Sequence, residues 1–379
     1  MKKVLVVDDS ALMRKLLTGV LRDGGYEVRS ARNGAEGVQM VLEWEPDVVT
    51  LDINMPEMDG LTALSMIMSS RPTPVVMVSS LTEKGALATF EALALGAVDF
   101  IPKPGGTISL RVDDVSAVLL DKVRSATRAR LGPAAARRTQ TQPIKPPGAR
   151  AAPARPAPVS PFSAAPRPAS GAQGLVLIGV STGGPRTLEE ILPLLPADFP
   201  WPVLVAQHMP ANFTDTFARR MDSLCPLHVI EVAAALPLTA GHVYIGRGGT
   251  DMAVMERAGQ LQVGPRPESP QMLWHPSVEV LVETACRHLP PDRLIGVMLT
   301  GMGNDGAVAM TALHAGGGRT IAESSETAVV FGMPQELIQR GGATVVLPAN
   351  AIAEQLRAWL ARASGRTERG IAAGGSKWA

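Results

Sequence analysis

Two sets of polar residues in this 379-residue sequence stand where short apolar runs end. In the first set, Asp8 and Asp9 follow Val4–Val7, and Asp52 follows Val48–Leu51. Ser79 closes Val75–Ser79, and Lys103 follows Val98–Ile101. Three carboxylates on one edge repel one another unless a cation neutralises them, and a hard divalent ion such as Mg²⁺ prefers oxygen ligands of this kind. A lysine beside them would hold a phosphoryl oxygen. The set therefore suggests an acidic metal pocket that accepts a phosphoryl group on one carboxylate. The competing reading is that the three acids only cap helices.

The second set lies further along. Leu175–Val180 runs into Ser181-Thr182-Gly183-Gly184-Pro185, and Val203–Gln207 runs into His208-Met209-Pro210. Leu294–Thr300 runs into Gly301-Met302-Gly303-Asn304-Asp305-Gly306. Hydrolysis through an acyl-enzyme needs these three types: a hydroxyl nucleophile, an imidazole base and a carboxylate that orients the imidazole. Pro185 suits a first helical turn, so Ser181 would sit at a helix N-terminus where backbone N–H groups stabilise an oxyanion. Taken singly, Ser181 and Asp305 could be helix caps and His208 a turn histidine. Their convergence on one sheet edge favours a triad, and among the six histidines only His208 directly follows a strongly apolar run. Gly179 to Gly184 lacks the second glycine of a dinucleotide fingerprint and has no P-loop lysine, which disfavours a nucleotide site.

Elements must place these residues. Over residues 1–121 the apolar runs, with a weaker one near Tyr26–Arg29, alternate with helix-length patterns. That predicts an α/β fold with a doubly wound, five-stranded parallel sheet, whose active groups gather at the carboxyl ends of its strands. In the first helix Ser10 is the expected cap, Gly24-Gly25 the stop, and Leu12-Leu16-Val20 beside Met13-Leu17-Leu21 the core-facing rows. Residues 175–363 predict a second α/β domain with a mostly parallel sheet. Its further strands are expected at His242–Gly246, Thr320–Glu323 and Thr344–Leu347, with helices at Ser277–His288 and Gly306–His314. Met252–Met255 and Leu261–Gly264 flank Arg257-Ala258-Gly259 as an antiparallel hairpin.

Charge divides the chain the same way. Lys plus Arg number 36 and Asp plus Glu 35, a net charge of +1, which excludes a uniformly basic nucleic-acid binder. Residues 1–121 hold 11 basic and 17 acidic side chains, 122–174 hold 10 and none, and 175–379 hold 15 and 18. The middle segment also carries ten prolines between Pro133 and Pro168. It cannot bury a core, so 122–174 is expected to be a solvated basic linker, with a basic arm for an acidic partner as the other possibility. Residues 364–379 are expected to be a disordered tail. No apolar run has the roughly 18 residues of a membrane span, and acids at positions 8 and 9 break any signal-peptide core. The expectation is a cytoplasmic protein, not an integral membrane one. Cys225 and Cys286 lack metal-ligand spacing and read as reduced, structural thiols.

Asp8-Asp9-Ser10, Asp52-Ile-Asn-Met-Pro-Glu-Met-Asp-Gly60, Val78-Ser79-Ser80 and Phe100-Ile-Pro-Lys103-Pro104 together resemble the receiver domain of bacterial response regulators. The resemblance implies Asp52 as phosphoacceptor, with Asp8, Asp9, Asp52 and the Asn54 backbone carbonyl holding Mg²⁺. It implies Ser79 and Phe100 as switch positions, Lys103 as the phosphate-sensing lysine, and a cis Lys103–Pro104 bond. Ile178-Gly-Val-Ser181-Thr-Gly-Gly-Pro185, Gln207-His208-Met209-Pro210, His275-Pro-Ser-Val278, Leu299-Thr-Gly-Met-Gly-Asn-Asp305-Gly306 and Val330-Phe-Gly-Met-Pro334 resemble the chemotaxis protein-glutamate methylesterases, the CheB family.

That second resemblance implies Ser181 as nucleophile, His208 as base, Asp305 as its orienter and the Met302 amide as an oxyanion donor. The implied reaction is hydrolysis of glutamyl methyl esters on methyl-accepting chemoreceptors, with glutamine deamidation by the same chemistry. It needs no cofactor for ester hydrolysis and is controlled through phosphorylation by a chemotaxis histidine kinase. Gly246-Arg247-Gly248-Gly249 departs from the family's Ala-Pro-Gly-Gly and puts Arg247 at the rim of the cleft. Two other readings remain at this point: the same esterase in a non-motility pathway, or a catalytically inactive, phosphorylation-controlled binding protein.

Overall fold

Val4–Val7 has no polar side chain, and in the computed structural model it is the buried part of the first strand, β1 (Lys3–Val7). The structure describes residues 1–80, 82–103, 112–131 and 173–371. After β1 come α1 (Ala11–Asp23), β2 (Glu27–Ala31), α2 (Gly34–Trp44), β3 (Val48–Asp52), α3 (Gly60–Ser70), β4 (Val75–Ser79), α4 (Glu83–Leu95), β5 (Asp99–Pro102) and α5 (Val112–Ala126). The five strands are all parallel, in the order β2-β1-β3-β4-β5. The order reverses at β1, so a crevice opens above the carboxyl ends of β1 and β3.

Ser10 caps α1 by accepting from Met13 N–H at 3.4 Å. Of the two rows predicted for α1, Met13, Leu17 and Leu21 are buried and Leu16 and Val20 pack half-buried against the same core, but Leu12 is corrected: it is 75% exposed. Leu12 lies in the first turn of the helix, about 100° round from Met13. The Lys103–Pro104 bond lies outside the described residues.

The predicted domain boundary at residue 121 also needs correction, because it cuts α5. Lys122, Val123, Ser125 and Ala126 are buried, and Ala129 and Leu131 pack on the first domain's core. The charge pattern hid this: Lys122 is neutralised by Asp99 at 2.7 Å, a partner far away in sequence. The predicted linker of 122–174 therefore begins inside the first domain, and from residue 132 it passes outside the described residues.

The second domain holds β6 (Leu175–Val180), α6 (Gly184–Ile191), β7 (Val203–Gln207), α7 (Ala211–Leu224), β8 (His228–Val232), β9 (Leu236–Pro237), β10 (His242–Gly246), β11 (Asp251–Arg257), β12 (Gln260–Arg266), α8 (Val278–His288), β13 (Leu294–Met298), α9 (Ala307–Ala315), β14 (Arg319–Glu323), α10 (Met333–Gln339), β15 (Val345–Leu347) and α11 (Ala349–Ile371). Seven strands make a parallel sheet in the order β15-β14-β13-β6-β7-β10-β8. The hairpin β11–β12 belongs to a separate antiparallel sheet with β9. Its turn residues Ala258 and Gly259 both have positive φ, 52° and 73°, the geometry that matches hairpin twist.

β8 escaped the sequence reading because it is an edge strand with an exposed first residue, not a continuous apolar run. α11 runs on to Ile371, beyond the expected domain end at 363. No proline interrupts Ala361–Ile371, and Arg, Ala and Glu there favour helix. Cys225 and Cys286 are both free, and burial pushes the Cys225 thiol up to about 12. No helix among the described residues is long and apolar enough to cross a membrane.

Four of the seven phenylalanines join the domains. Phe90 of α4 stacks on Phe217 of α7 at 5.5 Å, and Phe100 of β5 meets Phe213 of α7 at 4.5 Å. Phe90 and Phe100 pack edge to face at 6.5 Å, and all four rings are buried. Residues past α5 add polar ties: Arg130 N–H donates to Val329 O at 2.9 Å and its guanidinium to Ser325 O at 2.9 Å. Truncating a buried phenylalanine costs about 3–5 kcal/mol. Phe217→Ala should therefore weaken the joint and separate the thermal transitions of the two domains. Calorimetry that shows an unaltered profile would mean the rings do not couple them.

Candidate functional site

β1 and β3 are neighbours, so Asp8, Asp9 and Asp52 meet at one sheet edge, with ligand oxygens all within 4.8 Å of one another. Asp8 and Asp52 are fully buried and Asp9 is exposed. Lys103, following β5, reaches Asp52 Oδ2 at 2.7 Å and Asp8 Oδ2 at 3.3 Å. Asp8 Oδ2 is buried yet makes no hydrogen bond, and Asp52 Oδ1 accepts from Asn54 N–H at 3.3 Å. Burial first, and the charge of Asp8 next, push the Asp52 carboxyl up against the opposing pull of Lys103. Three carboxylates against one lysine, with an Asp8 oxygen met only by the 3.3 Å ion pair, fit a divalent cation such as Mg²⁺. Gly60 is needed because a Cβ there would meet Asp52 O at 2.0 Å. Ser79 Oγ donates to Gly85 O at 3.1 Å, and Phe100 is buried in the domain joint.

The second site stands on three adjacent strands, β13, β6 and β7, again where the strand order reverses. Ser181 follows β6 and is 6% exposed. Its N–H donates to Thr300 O at 2.9 Å, and its carbonyl accepts from Gly184 N–H at 2.8 Å and Gln207 Nε2 at 3.0 Å. Gly183, at φ 81°, is the residue before α6, so Ser181 does not cap that helix. His208 N–H donates to Val180 O at 3.0 Å, which fixes the imidazole's backbone beside the Ser181 turn.

His208 Nε2 lies 2.8 Å from Asp305 Oδ2. Asp305 does cap a helix, but it is α8 and not the α9 that follows it. Its oxygens accept from Val278 N–H at 2.7 Å, Glu279 N–H at 3.0 Å and Ser277 Oγ at 2.9 Å. Burial opposes its ionisation most strongly, but His208 and these N–H groups hold its carboxyl below the usual range. With Nε2–H bonded to a carboxylate, Nδ1 carries the lone pair. Nδ1 is buried and has no partner, and among the described residues Ser181 Oγ makes no hydrogen bond. The structure thus brings Ser181, His208 and Asp305 to one edge and joins His208 to Asp305, but leaves the serine–histidine bond unmade.

Met302 follows Gly301, where a Cβ would stand 2.7 Å from Ser181 Cβ. Among the described residues the Met302 N–H has no acceptor, and its sulfur takes a 3.9 Å contact from Arg128. Arg247 is exposed. A cavity of about 230 Å³ separates the domains at this edge. Phe100, Pro102 and Lys122 line it on the first domain's side, and His208, Pro210 and Trp274 on the other.

Sequence reasoning missed several supporting residues. Ser277 lies in a motif already singled out, but its partner Asp305 is visible only in the fold. His275 bonds the fully buried Asp251 at 2.8 Å, a second His–Asp pair beside the first. Glu323 is also fully buried, accepting from Thr300 N–H at 2.8 Å and Thr327 Oγ1 at 2.9 Å. Thr300 Oγ1 in turn donates to Thr182 O at 2.8 Å, so Glu323 braces the serine turn through Thr300.

The fold and site define a class: a receiver sheet with an acidic edge, joined to an α/β domain with a hydrolase-type edge. A response regulator receiver profile matches residues 4–112, and a CheB methylesterase profile matches residues 176–356. The protein-glutamate methylesterase/protein-glutamine glutaminase 3 of Rhodospirillum rubrum is 56% identical, over 96% of this chain and 97% of its own. The protein-glutamate methylesterase/protein-glutamine glutaminase 2 of Rhodopseudomonas palustris is 52% identical, over 95% of this chain and 98% of its own. The crystal structure of the Thermotoga maritima CheB methylesterase catalytic domain is 39% identical, covering 50% of this chain and 98% of its own with a TM-score of 0.47. The chain belongs to the CheB methylesterase family and carries that family's receiver domain.

Burial pushes the Glu323 carboxyl up to about 7 from an ordinary 4.5. Between those values the unfolded chain has lost the proton and the folded protein keeps it, so stability falls as pH rises through the window and levels off above it. Glu323→Gln keeps the acceptor for Thr300 but cannot ionise. Urea unfolding at pH 5 and pH 8 should show this variant gaining stability relative to the wild type at the higher pH. An identical pH dependence in both proteins would mean Glu323 is already ionised in the fold.

Proposed function

We propose that this protein is a phosphorylation-activated protein-glutamate methylesterase acting on methyl-accepting chemoreceptors, and that it also deamidates glutamine side chains. The observation that carries the reading is His208 held through Nε2 by the ionised Asp305, with Nδ1 left free at the Ser181 edge. Ser181 Oγ attacks the ester carbonyl as His208 Nδ1 takes its proton. The carbonyl oxygen becomes an oxyanion facing the Met302 N–H. The tetrahedral adduct collapses, methoxide takes the proton back from His208, and methanol leaves. Water then attacks the acyl-serine with the same proton transfers and releases glutamate. With a primary amide the leaving group is ammonia and the other steps are the same. Ester hydrolysis by this route draws on no cofactor.

Regulation runs through the receiver. A histidine kinase of a chemotaxis pathway donates a phosphoryl group to Asp52. Asp8, Asp9, Asp52 and the Asn54 carbonyl would hold a magnesium ion, which would supply positive charge between the two anions. Lys103, now paired with Asp52, turns to the phosphoryl oxygens, and Ser79 and Phe100 answer the new charge. Phe100 belongs to the four-ring joint, so its movement loosens the packing of the receiver over His208. On this reading the protein works in the cytoplasm, where the receptor's methylated helices and the kinase are reached.

Methanol release from methylated receptor membranes, with Mg²⁺ and a small phosphodonor, tests the reading. Release should rise with the phosphodonor in the wild type. Asp52→Asn should keep the basal rate and lose the response. Ser181→Ala should lose activity by about 10⁴-fold or more. Unchanged release from Ser181→Ala would overturn the serine mechanism.

A further inference from the structure

One hydrogen bond does not fix the plane of an imidazole. His208 is tethered at Nε2 by Asp305, and its other nitrogen has no partner. The ring remains free to turn about its bond to Asp305 unless a flat surface lies against it. Trp274 provides that surface: its ring lies 5.6 Å from the His208 ring and within 14° of parallel. Trp274 is itself held. The loop carrying it, between β12 and α8, is anchored by the buried Asp251. That carboxylate accepts from Ser269 N–H at 2.9 Å and Ser277 N–H at 3.0 Å and bonds His275 Nδ1 at 2.8 Å. Anchors therefore stand on both sides of Trp274 in sequence. From the receiver, Lys122 Nζ lies 5.8 Å from the same ring.

We infer that Trp274 is a positioning residue for the catalytic base: its indole fixes the plane of the His208 imidazole so that Nδ1 faces the Ser181 hydroxyl. The inference rests on the reading of His208 as base. The flat face is what matters, so another aromatic ring can replace it and a small side chain cannot. Misplacing a base by a fraction of its hydrogen-bond length is felt in the proton-transfer step and not in substrate affinity.

The test uses the full chain with Mg²⁺ and the small phosphodonor, comparing wild type, Trp274→Phe and Trp274→Ala on methylated receptor membranes. Trp274→Phe should stay within about threefold of the wild-type kcat, and Trp274→Ala should fall by about tenfold to a hundredfold with KM nearly unchanged. A loss confined to KM would make Trp274 a substrate contact and overturn the inference, as would a wild-type kcat in Trp274→Ala or an equal loss in both variants.

A second readout does not need turnover. The chain has five tryptophans, and the wild-type minus Trp274→Phe difference spectrum isolates the emission of Trp274. The His208 ring lying along the indole shapes this emission, so its wavelength and intensity should change in His208→Gln at one fixed pH. The other charged groups around the two rings are Asp305 after β13, Asp99 of β5, Asp121 and Lys122 of α5, and Glu268 and His275 of the Trp274 loop. His208→Gln leaves all of them in place, so the change of emission in that variant belongs to the imidazole. The same Trp274 emission in wild type and His208→Gln would show the rings are not stacked and sink the inference. A wild type that stacks but releases no methanol would instead refute the esterase reading, leaving the stacking intact.

Discussion

Asp305 is a carboxylate that has to remain ionised almost out of water. Desolvation works against it, and the groups that overcome desolvation come from other parts of the chain: the first N–H groups of α8, the Ser277 hydroxyl and the His208 imidazole. A helix N-terminus offers both unpaired donors and a positive dipole end, so it is a natural seat for a buried anion. The rest of the second domain follows from that seat. α8 must begin beside the end of β13, Asp251 must clamp the loop that leads into it, and β7 must lie next to β6 to bring His208 within reach. Asp305 is at once a helix cap and the partner of the proposed base, so cap and catalytic roles are not alternatives.

The receiver meets the same difficulty with a different counterion. Asp52 and Asp8 are buried side by side, and Lys103 is the cation that reaches both. The pairing is incomplete: the Asp52 carboxyl stays above its usual range, and one Asp8 oxygen has no hydrogen bond. A site left short of positive charge is one in which a metal ion and a phosphoryl group make a large electrostatic difference. Between the two sites lie buried rings and a buried ion pair. Phe100 touches Phe213, and the adjacent Asp99 holds Lys122, which lies over the Trp274 ring beside His208. Asp99, the neighbour of Phe100, is thus three contacts from the proposed base.

Much of this was legible in the sequence. Apolar runs that end in Asp8, Asp52, Ser181, His208 and Asp305 located the strands, and the parallel α/β pattern put those ends on common edges. The errors have physical causes as well. α5 crossed the predicted boundary because Lys122 looks like a linker charge until Asp99 is seen beside it. Leu12 looked like core because a run of apolar residues does not say which stripe faces the sheet. β8 was missed because edge strands need no continuous apolar run, and Trp274 because a loop aromatic has no periodicity to reveal what it touches.

By itself the sequence determined the two parallel sheets, the order of the reactive residues along the chain and the division into acidic, basic and acidic segments, since local pattern and charge are properties of neighbouring residues. The tertiary structure decided which nitrogen of His208 meets Asp305, which helix Asp305 caps, how Asp251 and Glu323 brace the site, and that the receiver's phenylalanines stack on α7. Each of these joins groups tens or hundreds of residues apart, and only the packing of the folded chain makes them neighbours.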